Sequence, residues 1–350
     1  MEVFVGVIFY SIAFHNIFSV YKNKYLEKYI FYIAIIYLIC ISGFRDLTIG
    51  TDTMSYYTYF MRNLEYGEIA EYYHYQGILF WHIFYWVKDI FYEYQIILVI
   101  TSFISITLIG MYIWKLSKYK FLSLLIYTTC GFYAIGMSML RQYIAISILT
   151  YATIYIRERN LRKFIICFVL AMLIHASSIL FLPAYFIGYI KMNKKNIFIY
   201  IVITIIICIL TKIIINTISN IFFGGGYEFF IGEEGGGKVT FVGYVLILLI
   251  SLLLKKRILL DNKNLIFYNL LWIAIIIQST AFIFPIASRA AYLYSMTLIV
   301  FIPEIIYIIR DIKWKYISIS FLIGICLFIY FYKFYNLNNV YPYKFFLSNI

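Results

Sequence analysis

Residues 94–120 read YQIILVITSFISITLIGMYIWKLSKYK. The 21 positions from Tyr94 to Trp114 carry no charge, and Lys115, Lys118 and Lys120 follow directly. A helix that crosses a bilayer needs about 20 mostly apolar residues, and Lys and Arg gather in the short loops on the cytoplasmic side. The stretch reads as one membrane span with its cytoplasmic flank. Outward from it the same unit recurs. Apolar runs fall at 3–20, 29–43, 77–92, 94–114, 121–138, 142–156, 164–190, 197–216, 240–254, 264–284, 290–309 and 316–334.

Composition agrees. Of 350 residues, 64% are hydrophobic and 13% charged, with mean hydropathy +0.88; ordinary soluble domains run at roughly 45–50% and about 25%. Such a chain cannot hide its apolar surface from water, which excludes a soluble enzyme, a nucleic-acid binder and a secreted disulfide scaffold. A membrane β-barrel would read as alternating segments of about ten residues, and these runs are continuous. The five cysteines each lie in an apolar run without a CxxC pair, so neither disulfide nor zinc is expected. The opening MEVFVGVIFYSIAF lacks a basic n-region and reads as a first span, not a cleaved signal.

The net charge of +13 has a topological origin. Six clusters, 22–28, 115–120, 157–163, 191–195, 255–263 and 310–315, hold 20 of the 29 Lys and Arg. All six are assigned to the cytoplasm. For the first two to share a side, run 77–92 must fall short of a span; Lys88 and Asp89 within it would be costly in lipid. It reads as a half-membrane or interfacial helix. Run 164–190 begins and ends at cytoplasmic clusters, so it enters and returns, with a turn near His175. The result is an all-α polytopic membrane protein of about ten full spans, both termini outside, plus short re-entrant or interfacial helices. The 350 residues form a single integral membrane domain. Its outer side carries 44–76, a loop with an interfacial helix, the Gly-rich loop 217–239, and the tail 335–350. The Gly-rich loop lacks GxxxxGK[ST] and reads as a flexible outer loop.

Nine basic residues lie outside the clusters, and three of them sit at outer ends of runs in compact polar motifs. In SGFRDLTIGTDTMSYYTYF (42–60), Arg45 and Asp46 leave the membrane together. Gly50 permits a turn, Thr51 or Asp52 can cap a helix starting near Thr53, and Tyr56 lies on that helix. In GMSMLRQYIAISIL (136–149), Arg141 and Gln142 open a span. In FPIASRAAYLY (284–294), Arg289 precedes Tyr292 by about one turn. LIHASSIL (173–180) puts His175 at the expected hairpin apex. Each has a plainer account: a helix cap for the first, arginines snorkelling to lipid phosphate for the next two, and a core histidine bonded to a carbonyl for the last. Together they place three arginines, an acid and a histidine on one side. Arginine is the residue for bidentate phosphate contact, so the set suggests a dianionic head group.

The stretch FRDLTIGTDTMSYY, from Phe44 to Tyr57, resembles the "FR…VGTD…Y" signature of the EpsG family of bacterial polysaccharide polymerases, related in role to the Wzy O-antigen polymerases. Arg141-Gln142, the His175 to Pro183 segment and the Arg289/Tyr292 pair follow in the family's order. One departure is Gln76, in YQGILF, where many relatives carry a Glu. The resemblance implies a GT-C-like glycosyltransferase in the bacterial inner membrane, with its site facing the periplasm or cell exterior. It would move a glycan from undecaprenyl diphosphate to the non-reducing end of another lipid-linked repeat unit. On that reading Arg141 and Arg289, assisted by Arg45, bind the diphosphate. Asp52 orients or deprotonates the acceptor hydroxyl, and His175 is the competing base. Gln142, Tyr56, Tyr292 and Gln76 contact sugar or support the site. Asp46 and Asp52 are six apart without a DxD, so no metal is expected, and no cofactor. The partners are lipid-linked donor and acceptor and membrane lipid, optionally a chain-length regulator, and no nucleic acid. A lipid-linked oligosaccharide flippase or other transporter, a membrane O-acyltransferase and a glycan ligase are the alternatives.

Overall fold

The computed structural model describes residues 24–62, 77–223, 237–334, 340 and 343–346. Among them every element is helical except one isolated β-bridge between Arg45 and Phe345. The helices are α1 (Lys24–Gly43), α2 (Thr53–Met61), α3 (Ile78–Phe91), α4 (Tyr94–Leu116), α5 (Lys120–Thr129), α6 (Phe132–Ser138), α7 (Leu140–Arg157), α8 (Leu161–Ile174), α9 (Ala184–Ile187), α10 (Lys194–Phe223), α11 (Lys238–Leu253), α12 (Lys255–Ile258), α13 (Leu265–Thr280), α14 (Ala287–Ser295), α15 (Leu298–Tyr307) and α16 (Ile312–Ile329). Short 3-10 helices occupy Ala176–Phe181 and Asn262–Asn264, and a π-turn, Tyr330–Phe334, follows α16. The expected first span, 3–20, lies outside the described residues.

Helices α1, α4, α10 and α16 contain stretches long and apolar enough to cross a membrane, and two bent pairs raise the number to six if each pair is one span. The chain is therefore an all-helical, multi-pass membrane protein, and the described residues supply four to six of the roughly ten spans expected. The shortfall has a physical cause. Helices α11 and α13 have 16 residues each and rise only about 24 Å, and α7 is diluted by Arg141, Gln142 and hydroxyl residues.

Three expected runs differ in form. Run 121–138 breaks into α5 and α6 at an angle of 51°, because Gly131 takes φ +88°, a left-handed conformation open to glycine. Run 290–309 becomes α14 and α15, which meet at 44° across Met296 and Thr297, where the Thr297 hydroxyl donates back to the Tyr294 carbonyl at 2.8 Å. Helix α10 continues to Phe223, so residues 217–223 are helical and not part of the Gly-rich loop. The expected turn in 164–190 does fall at His175, between α8 and the 3-10 helix.

Packing explains which helices are central. Helix α7 is buried along most of its length and packs against α4 and α8. Its hydroxyls turn inward on the helix itself: Ser147 donates to the Tyr143 carbonyl and Thr150 to that of Ile146, both at 2.8 Å. Small residues let α1 and α4 approach. A Cβ on Gly43 would sit 3.2 Å from Val99 Cα, and the Ser42 and Ser102 hydroxyls meet at 2.8 Å. By contrast α10 and α16 bury only 11% of their apolar windows in the bundle, which leaves their outer faces for lipid.

All six basic clusters meet at one end of the bundle. Lys120 pairs with Glu27 at 3.1 Å, Lys115 with Glu158 at 2.9 Å and Arg157 with Asp261 at 3.2 Å. Lys255 donates to the Met192 carbonyl at 2.7 Å. Lys118 and Lys315 both lie over the Tyr307 ring at 5.7 Å. The sixteen-residue rise of α7 from Arg141 to Arg157 amounts to about 24 Å, so the basic face and the start of α7 lie at opposite ends of that helix.

Asn269 of α13 is fully buried and ties three segments together. Its amide nitrogen reaches the carbonyls of Gly188 and Ile190 at 3.1 and 3.0 Å, and its oxygen accepts from the Tyr200 hydroxyl of α10 at 3.0 Å. Asn269→Leu keeps the volume and strands those groups. The expected outcome is a loss of about 2–3 kcal/mol, read as a lowered unfolding temperature in detergent.

Candidate active site

The motif around Gly50 is built by a close approach of two chain segments. Gly50 has φ +90°, and a Cβ there would collide with the Met137 carbonyl and the Thr53 hydroxyl. Only glycine lets the loop after α1 lie on the junction between α6 and α7. Arg45 then locks the loop. Its side chain is fully buried; Nε donates to the Ile49 carbonyl at 3.3 Å, Nη1 to the Ser42 carbonyl and Nη2 to the Met137 carbonyl at 3.0 Å. Burial draws Arg45 down to about 10, which leaves it charged at neutral pH. The Thr51 amide donates to Ser138 Oγ at 3.3 Å. Asp46 accepts from the Thr48 amide and hydroxyl at 3.0 and 2.7 Å. A returning segment closes the far side. The Asp46 amide donates to the Lys344 carbonyl, the Phe346 amide to the Phe44 carbonyl and the Tyr343 hydroxyl to the Ile41 carbonyl, at 2.9, 3.0 and 2.7 Å.

This geometry corrects two expectations. Arg45 has its three nitrogens on backbone carbonyls and faces no open space, so it shapes the loop and is not available to a diphosphate. Asp52 sits at the N-cap of α2 but makes no side-chain cap bond. Its Oδ1 accepts from the Thr51 hydroxyl at 3.1 Å, and its Oδ2 lies 3.6 Å from Arg289 Nη1. Its backbone is αR (φ −93°, ψ −8°) and not the extended form usual for a cap.

The remaining residues gather around that ion pair. Arg141, in the first turn of α7, is 7% exposed. Its guanidinium carbon lies 5.6 Å from the Trp81 ring of α3. Gly77 precedes α3 with φ +74°, and a Cβ there would press on the Ile174 carbonyl and sit 3.1 Å from Arg141 Cδ. Gln142 Nε2 reaches the Arg289 carbonyl at 3.4 Å. Tyr56, one turn along α2 from Asp52, packs on Phe80 and Trp81 at 5.7 and 6.0 Å. Burial pushes its phenol up, with Arg141, Asp52 and Arg289 all close enough to act on it; it remains a neutral donor. Tyr292 packs edge-on against Phe132 at 6.2 Å, next to the α5–α6 break and one turn from Arg289. Arg289 and Asp52 stay open, with side-chain exposures of 45% and 30%. Gln76 lies outside the described residues. His82, on the opposite part of α3, is exposed and bonded to the Ile78 carbonyl at 2.9 Å.

His175 lies outside the spans, in extended backbone between α8 and the 3-10 helix. The Ser177 amide donates to its Nδ1 at 3.2 Å, which fixes the neutral ring's proton on Nε2. Burial, with Arg141 and Arg289 nearby, lowers the imidazole to about 3. A ring in that state offers a donor at Nε2 and is a weak base.

Sequence reasoning missed Trp81, Gly77 and Ser138. Only the glycine before the half-helix gave any signal. Among the described residues no three His, Cys, Asp or Glu side chains come together. What the arrangement offers is an exposed Asp52–Arg289 pair with a second guanidinium, a neutral tyrosine and an imidazole N–H buried close by, which suits an anionic group bearing a hydroxylated partner.

Compared with known proteins, the chain matches the family model described as the EpsG family over residues 28–345. No curated protein and no solved structure matches it.

Two outcomes separate structural from open arginines. Arg45→Lys leaves one ammonium for three buried carbonyls and should cost about 2–4 kcal/mol of stability. Arg289→Lys, at a half-exposed pair, should change unfolding by less than about 1 kcal/mol. A pH effect follows from His175. Its folded value lies below the ordinary unfolded one, so the unfolded chain takes the proton first. Stability present above about pH 6.5 should fall as pH drops toward 3. His175→Gln should flatten that part of the curve of unfolding temperature against pH.

Proposed function

The chain belongs to the EpsG family, whose members are of the Wzy-like polymerase type, and from that membership and the Asp52–Arg289 pair beside Arg141 we propose that it is a polysaccharide polymerase. It transfers a glycan from undecaprenyl diphosphate to the non-reducing-end hydroxyl of a second lipid-linked repeat unit. Membership already makes it a membrane protein of polysaccharide synthesis; the substrate and the chemistry are the proposal.

Arg141 and Arg289 receive the donor's diphosphate, with Trp81 backing the Arg141 guanidinium. Phosphate oxygens compete with Asp52 for Arg289, which releases the carboxylate. The acceptor hydroxyl attacks the anomeric carbon of the donor glycan as the bond from that carbon to the phosphate oxygen breaks. The hydroxyl proton passes to Asp52, and undecaprenyl diphosphate leaves with the electron pair. Diphosphate is a good leaving group, so charge stabilisation by the arginines is the larger part of the catalysis. The Nε2–H of His175 and the phenol of Tyr56 add donors, and Gln142 and Tyr292 hold α14 in place. Arg45 acts through the loop it locks. Two guanidinium groups meet the diphosphate charge, so the reaction needs no metal.

A GT-C-like bundle with about ten spans belongs to this proposal. The shorter helices α7, α11 and α13 would cross a thin or locally compressed bilayer, and run 3–20 would add one more. So does the location: the inner membrane, with the basic face in the cytoplasm and the arginine site facing the periplasm or exterior. Arg45, Arg141 and Arg289 lie at helix ends and not along the middle of a helix, which favours a polymerase over a midplane transporter pathway.

The test is a reconstituted assay with one defined lipid-linked repeat unit, scored as a ladder of polymer lengths. Arg141→Lys keeps the charge and loses the planar fork; about a hundredfold less polymer is expected, and Asp52→Asn should lose a similar amount. Full-length ladders from both variants would sink the assignment. Excess chelator should leave the ladder unchanged; a loss restored by Mg²⁺ or Mn²⁺ would remove the metal-free mechanism.

A further inference from the structure

The opposite end of the bundle holds a second place built for negative charge. A cavity of about 670 Å³ opens among the basic clusters, lined by Arg157, Glu158, Arg159, Tyr189, Lys191 and Lys263, with two asparagines and a few apolar neighbours. Its size is within the range of about 300–1,000 Å³ for ligand sites. Two of its charges are already met. Arg157 Nη2 lies 3.2 Å from both Asp261 and Asn264, and Glu158 is held by Lys115 at 2.9 Å. Arg159, Lys191 and Lys263 form no ion pair among the described residues.

Arg159 stands out further. It follows the C-terminal end of α7 with φ +53°. The Arg159 amide donates to the Ile156 carbonyl at 2.9 Å and the Asn160 amide to the Tyr155 carbonyl at 2.9 Å. These are the two bonds of a Schellman turn, whose left-handed position is normally glycine. An arginine there carries a backbone cost that glycine would avoid. Its guanidinium carbon lies over the Tyr189 ring, 4.0 Å from its centre, and the Tyr189 hydroxyl is itself anchored to the Ile156 carbonyl. The guanidinium held on that ring lines the same cavity as the Lys191 and Lys263 ammonium groups.

We propose that this cavity is a phosphate-binding site, in which the Arg159 fork and the Lys191 and Lys263 ammonium groups hold the phosphate of a membrane phospholipid head group or of a free phosphate compound. A planar fork with two flanking point charges is the pattern that receives a tetrahedral oxyanion. The site is separate from the arginines at the far end of α7.

The full-length protein in neutral detergent, titrated separately with phosphatidylglycerol, phosphatidylcholine and inorganic phosphate and read by native mass spectrometry, tests this. Two variants are compared with the native chain: Arg159→Gly, which relieves the left-handed strain, and Lys191→Ala with Lys263→Ala. Arg159→Gly should unfold no earlier than the native protein, which separates lost binding from lost folding. Each variant should bind one anionic probe about fivefold more weakly or worse. A loss confined to phosphatidylglycerol, with phosphatidylcholine unchanged, identifies a lipid head group. A loss confined to inorganic phosphate identifies a soluble ligand. Equal binding of both anionic probes by the native protein and both variants overturns the proposal.

Discussion

The buried guanidinium of Arg45 organises everything at the site end. A positive charge with no exposure would be costly in a membrane protein, and three backbone carbonyls from three segments compensate it. Those carbonyls belong to the end of α1, the turn before α2 and the end of α6. Holding them to one planar group fixes the path of residues 45–53 on the α6–α7 junction. Asp52 is carried to Arg289 as a consequence, and Arg141 and Gln142 follow within one turn of the same junction. The order of dependence runs from a fork-shaped side chain, through a glycine that permits contact, to a carboxylate placed opposite an arginine 237 positions later in the chain.

Helix α7 separates two uses of positive charge. At one end the basic groups are numerous and in part paired with Glu27, Glu158 and Asp261, and they set orientation. At the other end they are few, and each has a specific neighbour: carbonyls for Arg45, an aromatic ring for Arg141, a carboxylate for Arg289. The helix between them is apolar toward its neighbours, and its hydroxyls are satisfied by its own carbonyls, so the low-dielectric middle carries no open polar group from Ser147 or Thr150.

Charge patterning made much of this legible. The six basic clusters predicted a single face because topology constrains the whole chain at once, and the ion pairs join them there. The turn at His175 was readable because 27 residues between two clusters cannot cross twice. Local chemistry was less so. Arg45 and Arg289 look alike in sequence, and only the carbonyls around one and the open space around the other set them apart. Asp52 before a helix carries every mark of a cap, yet it makes no cap bond and its carboxylate faces an arginine from a distant segment. Trp81 was hidden in an apolar run, where a ring for stacking on a guanidinium reads the same as a core residue. Bends at Gly131 and Thr297 fell inside runs whose hydropathy never dips, so hydropathy could not count spans there.

The segment 343–346 pairs with backbone that lies some three hundred positions before it, the Tyr343 hydroxyl reaching Ile41 across 302 residues. A ribosome working at about 5–20 residues per second leaves the loop around Arg45 without this partner for roughly 15–60 seconds. During that interval the helices can insert, but the outer edge of the loop lacks its bridging strand. The loop around Arg45 therefore gains this backbone partner only once residues 343–346 have been made.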